Sequence, residues 1–153
     1  MKIWRICKQR FAKTAFSGEG AKRVGGRWNS RGMPVAYCSE NLSLAALELL
    51  VHIEIQDNPP DLVAIPALIP EELEVEILTP EELPEDWRRV DGHGELKAQG
   101  DSWMTSEATA VLQVPSVVIP EEANVLLNPN HPEFTEVDIG IPKEFSFDDR
   151  LVD

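Results

Sequence analysis

The sequence predicts an α+β domain. Two observations lead there: short strand-like runs outnumber helices, and proline-containing turns separate several of those runs. The chain has 153 residues, 42% of them apolar and 27% charged, which suits one globular domain over 1–153 with a real core.

Taken in order, residues 1–11 read as a strand, with Ile3, Arg5 and Cys7 alternating against Trp4 and Ile6. A loop follows over 12–31, rich in glycine (Gly18, Gly20, Gly25, Gly26) and in basic residues. Residues 33–39 read as a short buried strand. Over 41–55, Leu42, Ala45, Ala46, Leu49, Leu50 and Ile53 recur at helical spacing, and Ser39 or Asn41 can cap the start. Asn58-Pro59-Pro60 ends that helix.

Residues 62–69 and 73–78 are strand-like and turn at Pro70-Glu71-Glu72. Thr79-Pro80-Glu81-Glu82 has the form of a helix start, and the polar, glycine-punctuated stretch 84–100 reads as a loop. Residues 102–112 read as a second helix. Strands are expected at 114–119 and 124–128, joined by a turn at Pro120-Glu121-Glu122, and a last one at 144–151.

The net charge of −13 hides an asymmetry. Residues 1–53 hold nine Lys or Arg against Glu19, Glu40 and Glu48, about +6, which leaves −19 for the rest. So acidic a chain is a poor partner for duplex DNA, whose affinity comes from neutralised phosphates. The basic third can still hold one small anion. No apolar run reaches the roughly 20 residues of a membrane span, and no secretory signal follows Met1. With two cysteines read as reduced thiols, the chain is expected in the cytoplasm.

Three places invite a chemical reading. In Gly25-Gly26-Arg27-Trp28-Asn29-Ser30-Arg31-Gly32, glycines allow close backbone approach and two arginines can grip oxyanions. It is neither a P-loop nor a Rossmann fingerprint, and a twisted hairpin loop with surface arginines is the plainer alternative. Glu48 sits in Leu44-Ala45-Ala46-Leu47-Glu48-Leu49-Leu50-Val51, apolar nearly all round. Such a carboxylate needs a partner, with Arg5 the structural candidate, or a solvated cleft. Tyr37, the chain's one tyrosine, lies in the strand before that helix and would ordinarily be core. Together, a basic loop, an aromatic plate and a carboxylate suit a nucleotide whose glycosidic bond is to be broken.

Elsewhere the signals are thinner. Cys7, Cys38, His52, His93 and His131 lack metal-ligand spacing, so neither a metal nor a cofactor is expected. Cys38 with a remote histidine is a weak thiol-hydrolase pattern. Ser116 is a hydroxyl in the apolar run Val114-Pro115-Ser116-Val117-Val118, and Asn128 belongs to Asn128-Pro129-Asn130-His131-Pro132, mostly a turn.

In order along the chain, several motifs resemble the RES domain, the toxin half of bacterial type II toxin–antitoxin pairs of the RES/Xre type. They are Gly25-Gly26-Arg27-Trp28-Asn29-Ser30, Pro34-Val35-Ala36-Tyr37, Ala45-Ala46-Leu47-Glu48, Gly100-Asp101-Ser102-Trp103, Val114-Pro115-Ser116 and Leu127-Asn128-Pro129-Asn130-His131-Pro132. The resemblance covers essentially the whole chain, with 56–98 the least diagnostic part.

It implies an ADP-ribosyltransferase-like fold: two small split sheets with flanking helices around an NAD cleft. It also implies cleavage of the nicotinamide–ribose bond by hydrolysis or phosphorolysis, or transfer of ADP-ribose to a protein. A helix-turn-helix (Xre-like) antitoxin that blocks the cleft is implied as partner. The family's functional positions fall on Arg27, Tyr37, Glu48 and Ser116, with Asn128 as a further substrate contact. Arg31 as a helper to Arg27 is an inference from this sequence alone. A non-catalytic RNA- or protein-binding module using Trp28 is the rival from another class. A homodimer is compatible with the sequence, but nothing in it selects one.

Overall fold

The computed structural model describes residues 1–53 and 59–152. Its strands form one sheet in the order β4-β5-β6-β2-β1-β3-β7, with β8 pairing β3. The strands are β1 (Lys2–Lys8), β2 (Ala36–Ser39), β3 (Leu62–Leu68), β4 (Val75–Ile77), β5 (Val111–Pro115), β6 (Ala123–Leu127), β7 (Asp138–Ile139) and β8 (Lys143–Phe145). The helices are α1 (Glu19–Val24), α2 (Leu42–Leu50) and α3 (Gly94–Ser106). The α+β class holds.

The expectation of two separate small sheets is corrected to two halves of one. β1 and β3 pair along their length, from Lys2 opposite Leu68 to Lys8 opposite Leu62, and β2, β6 and β5 pair equally fully. The halves meet only where Trp4 lies opposite Ser39. Beyond that point Arg5 replaces the missing ladder, its Nη1 donating to the Tyr37 carbonyl at 2.8 Å.

One face of the sheet holds a cluster spanning both halves, including Ile3, Ala36, Cys38, Ile65, Val111 and Leu127. The other face holds two clusters. Trp28, Leu96, Trp103, Leu112, Val114 and Leu126 pack under α3, and Leu62, Phe147 and Val152 pack with Ile6, Ala46 and Leu49 of the α2 side. The junction between the two clusters is where the polar residues gather.

Several sequence expectations need correction. β1 stops at Lys8 and a 3-10 turn, Gln9–Thr14, takes over; α1 forms inside the stretch read as loop. β2 is confined to Ala36–Ser39. Asn41, not Ser39, caps α2, its side chain accepting from Leu44 N at 2.7 Å. α2 ends at Leu50; of the expected helix to 55, residues 54 and 55 lie outside the described residues, as does Asn58. Only Leu44 and Ala45 of α2 are buried, so its apolar girth did not mean burial on most faces.

Glu82 accepts from Thr79 N at 2.7 Å as the capping signature requires, yet only one 3-10 turn forms. Pro84 explains it, because the residue before a proline is pushed to extended backbone, and Leu83 has φ −107° and ψ 158°. α3 spans Gly94–Ser106, not 102–112, and β5 spans Val111–Pro115, not 114–119. Of the expected final strand only Lys143–Phe145 begins near its start; 149–151 is a 3-10 turn, and the short β7 was not foreseen.

Candidate active site

Glu48 is presented by α2 at the junction of the two sheet halves. Its Oε1 accepts two hydrogen bonds, from Ser116 Oγ at 2.6 Å and from Asn124 Nδ2 at 2.7 Å. Arg5 makes no ion pair with it; that structural reading is set aside. The Ser116 hydroxyl is 0% exposed and also accepts from Val118 N and Ile119 N, so both its lone pairs are used. Its proton therefore has to point at Glu48. Asn124 is oriented by the same logic, since Ser39 Oγ donates to its Oδ1 at 2.8 Å and leaves the amide nitrogen for the carboxylate. Two fixed donors on one oxygen hold the carboxyl group in one orientation. Oε2 has no hydrogen-bond partner among the described residues.

Tyr37 lies on the same face, since Ser39 and Tyr37 alternate along β2 opposite Asn124 and Leu126. Its hydroxyl accepts from Trp28 N at 2.9 Å and donates to Asn29 Oδ1 at 2.7 Å. Asn29, 0% exposed, then ties the loop with its amide nitrogen on the carbonyls of Ala21, Ser30 and Met33. Gly26 permits this approach: a Cβ there would sit 2.7 Å from the tyrosine oxygen. The basic loop is thus stapled to the sheet by Tyr37.

Burial pushes the Tyr37 phenol well above its ordinary value, with the Trp28 N–H opposing. A raised folded value means stability present below the unfolded value near 10 and lost as pH climbs through the folded one. Because the chain has one tyrosine, phenolate absorbance reads it alone. We expect no phenolate near pH 10 in the native protein, and its appearance only at more alkaline pH with unfolding. A native titration near pH 10 would contradict the buried phenol.

Arg27 is half-buried beside this staple. Its Nη1 donates to Arg89 O at 2.8 Å and Trp87 O at 3.4 Å. The side-on edge, Nε and Nη2, carries no protein hydrogen bond among the described residues, which suits a bidentate grip on an oxyanion. Burial lowers its affinity for its proton, and Glu48 is the first of the charges that oppose this. Arginine and carboxylate therefore share one electrostatic field.

The other expected positions separate. Arg31 is exposed, and its side chain makes no hydrogen bond or ion pair among the described residues. Asn128 stands four residues along β6 from Asn124, about 13 Å away. Its amide is engaged locally, donating to Met104 O at 3.4 Å and accepting from Asn130 N at 3.0 Å. Asn124 and Ser39 were missed. Asn124 in Ala-Asn-Val-Leu-Leu carries the same signal as Ser116, a polar residue in an apolar run. Trp28 is 3% exposed, so its indole is not a platform for a partner. Cys38 is buried, its thiol pushed up to about 12, which leaves no thiolate nucleophile.

Residues 2–148 match the family model described as the RES domain. The chain belongs to the RES-domain family. It is 35% identical over 152 residues to "Toxin Res" of Yersinia enterocolitica, covering 99% of both chains. It is 33% identical over 154 residues to "Prs ADP-ribosylating toxin" of Sphingobium sp., covering 98% of this chain and 96% of that one. Its fold is similar to a chain in the crystal structure of the M. tuberculosis MbcT-MbcA toxin–antitoxin complex. There the TM-score is 0.77 at 16% identity, over 98% of this RES domain and 85% of that chain. No helix among the described residues is long and apolar enough to cross a membrane.

Proposed function

We propose that this RES domain is the toxin of a toxin–antitoxin pair and consumes NAD by breaking the bond between nicotinamide and ribose. The observation that carries the reading is Glu48: one carboxylate oxygen fixed by two donors, the other without a hydrogen bond among the described residues, in the field of a loop arginine. An ionised carboxylate so placed stabilises positive charge that develops on a ribose as its base departs. The side-on edge of Arg27 holds the pyrophosphate. Tyr37 keeps that loop in place through its hydroxyl and offers only its ring to a planar base. Ser116 acts through Glu48, orienting it. Asn128, by its bonds, supports the turn, and any contact with substrate requires that turn to rearrange.

The names of the relatives favour this reading from two sides. Several are called toxins, and the one called ADP-ribosylating must break the same bond to transfer its group. That name also favours a second reading, transfer of ADP-ribose to a protein, with the same site and a different acceptor. The cleft is of ADP-ribosyltransferase type in this view. The fold neighbour solved in a toxin–antitoxin complex supports an antitoxin partner. In this reading that partner carries a helix-turn-helix and covers the cleft, and the pair acts in the cytoplasm.

The deciding measurement is nicotinamide release from NAD by purified protein, followed by chromatography with and without phosphate. Release in water alone marks a glycohydrolase; release that depends on phosphate marks a phosphorylase. Label from NAD arriving on a protein band supports transfer. Absence of all three overturns the reading.

A further inference from the structure

The segment between the 3-10 turn Pro80–Glu82 and α3 is a strap tied by hydrogen bonds to Arg27 and to Val117. Trp87 anchors it, 7% exposed and packed in the cluster under α3. On one side the carbonyls of Trp87 and Arg89 receive Arg27 Nη1. On the other side Arg88 Nε donates to Val117 O at 3.1 Å. Val117 is the residue after Ser116, whose hydroxyl is bonded to Glu48. Arg88, itself exposed, therefore ties the strap that receives Arg27 to the residue that follows Ser116.

The charges along the strap are distributed unevenly. Arg89 is fully neutralised: Asp91 holds its Nε and Nη2 at 3.1 and 2.8 Å, and Asp86 lies 3.8 Å from Nη1. Arg150, far along the chain, is held in the same way by Asp148. Arg88 and Arg27 have no carboxylate within 4 Å among the described residues, in a chain of net charge −13. Each also keeps a fork without a hydrogen bond among the described residues. Arg27 shows its Nε and Nη2, Arg88 its two terminal nitrogens. Two unneutralised forks fixed by one strap match an anion with more than one charged group.

We propose that Arg88 is a second anion-binding residue of this cleft, and that Arg27 and Arg88 together select nucleotides carrying a diphosphate. This rests on the reading of the cleft as an NAD site and names a contact that the sequence alone did not suggest. The strap carries part of substrate recognition, and Val117 O sets the direction of the Arg88 fork.

The test is calorimetric titration with ADP and with AMP, which needs no turnover. The proteins are wild type, Arg88→Ala, Arg88→Lys and, as a charge-matched control, Arg150→Ala. Charge-assisted hydrogen bonds to an anion predict about 10-fold or greater weakening of ADP binding in Arg88→Ala. Arg88→Lys keeps the charge and is expected to lie between it and wild type, while Arg150→Ala matches wild type. The preference for ADP over AMP should shrink in Arg88→Ala. In turnover of NAD, Arg88→Ala should raise KM and leave kcat within about twofold. Equal ADP affinity in wild type and Arg88→Ala overturns the proposal, as does a wild type that binds no ADP. A wild type that binds ADP in this pattern but releases no nicotinamide overturns the catalytic reading and upholds the Arg88 contact.

Discussion

Glu48→Gln should lower nicotinamide release by about 10²–10³-fold while leaving the melting temperature close to wild type. The magnitude is that of removing one preorganised electrostatic stabiliser from a site where charge develops. Glutamine has the shape of glutamate, and its amide oxygen can still accept from Ser116 Oγ and Asn124 Nδ2, which now meet Oε1 at 2.6 and 2.7 Å. What disappears is the negative charge. Glu48→Ala is a less informative variant, because it strands the fully buried Ser116 hydroxyl and costs about 1–3 kcal/mol of stability in addition. Turnover and thermal unfolding measured on the same preparation separate the two effects. Glu48→Gln that consumes NAD at the wild-type rate removes Glu48 from the chemistry. A large fall in melting temperature would mean that its charge is structural.

The parts of this site that could be read in the sequence are those whose chemistry is costly where they stand. A carboxylate on an apolar helix and a serine in an apolar run both advertise a partner, and the two prove to be each other's. Asn124, in the apolar run Ala123–Leu127, advertises the same thing, while Asn128 belongs to a turn. The register separates them: Asn124 lies opposite Ser39, while Asn128 follows Leu127 beyond the other end of β2. Register depends on which strands pair, a long-range fact that local pattern does not hold.

α3 begins about eight residues before the start that the sequence predicts, for local reasons. It begins with glycine, contains a second one, and is capped by a histidine ring that accepts from Glu95 N at 3.1 Å. Gly lowers helix propensity by about 1 kcal/mol, and histidine is not among the usual caps. Tertiary packing of Leu96, Trp103 and Met104 overrides both. The strap before it, with Arg88, lay in the stretch that looked like plain loop.

Gly100→Ala tests that override with opposite signs for the two explanations. Were Gly100 only a poor helix former, alanine in the middle of α3 would stabilise the protein by about 1 kcal/mol. The geometry predicts the reverse. A Cβ on Gly100 would sit 1.7 Å from the Trp28 carbonyl oxygen and 2.8 Å from its carbon, backbone atoms with no side chain to swing away. Overpacking of this kind costs about 1–3 kcal/mol and at times more, so a net loss of about 3 kcal/mol is expected. In a domain of this length that corresponds to roughly 6–12 °C in melting temperature. The contact also sets the site. Asp101, the next residue, accepts from Ser30 N at 2.9 Å and from Ser30 Oγ at 2.5 Å, so α3 grips the basic loop at consecutive positions. Trp28 lies between Arg27 and Asn29 and donates its N–H to Tyr37. Pushing its carbonyl away from α3 should therefore displace Arg27 and weaken nucleotide binding even at temperatures where Gly100→Ala remains folded. A melting temperature at or above wild type would show that α3 and the loop do not meet as described. A lowered one, with ADP binding reduced in the folded protein, would make the Gly-Asp pair the element that holds the arginine loop against the helix.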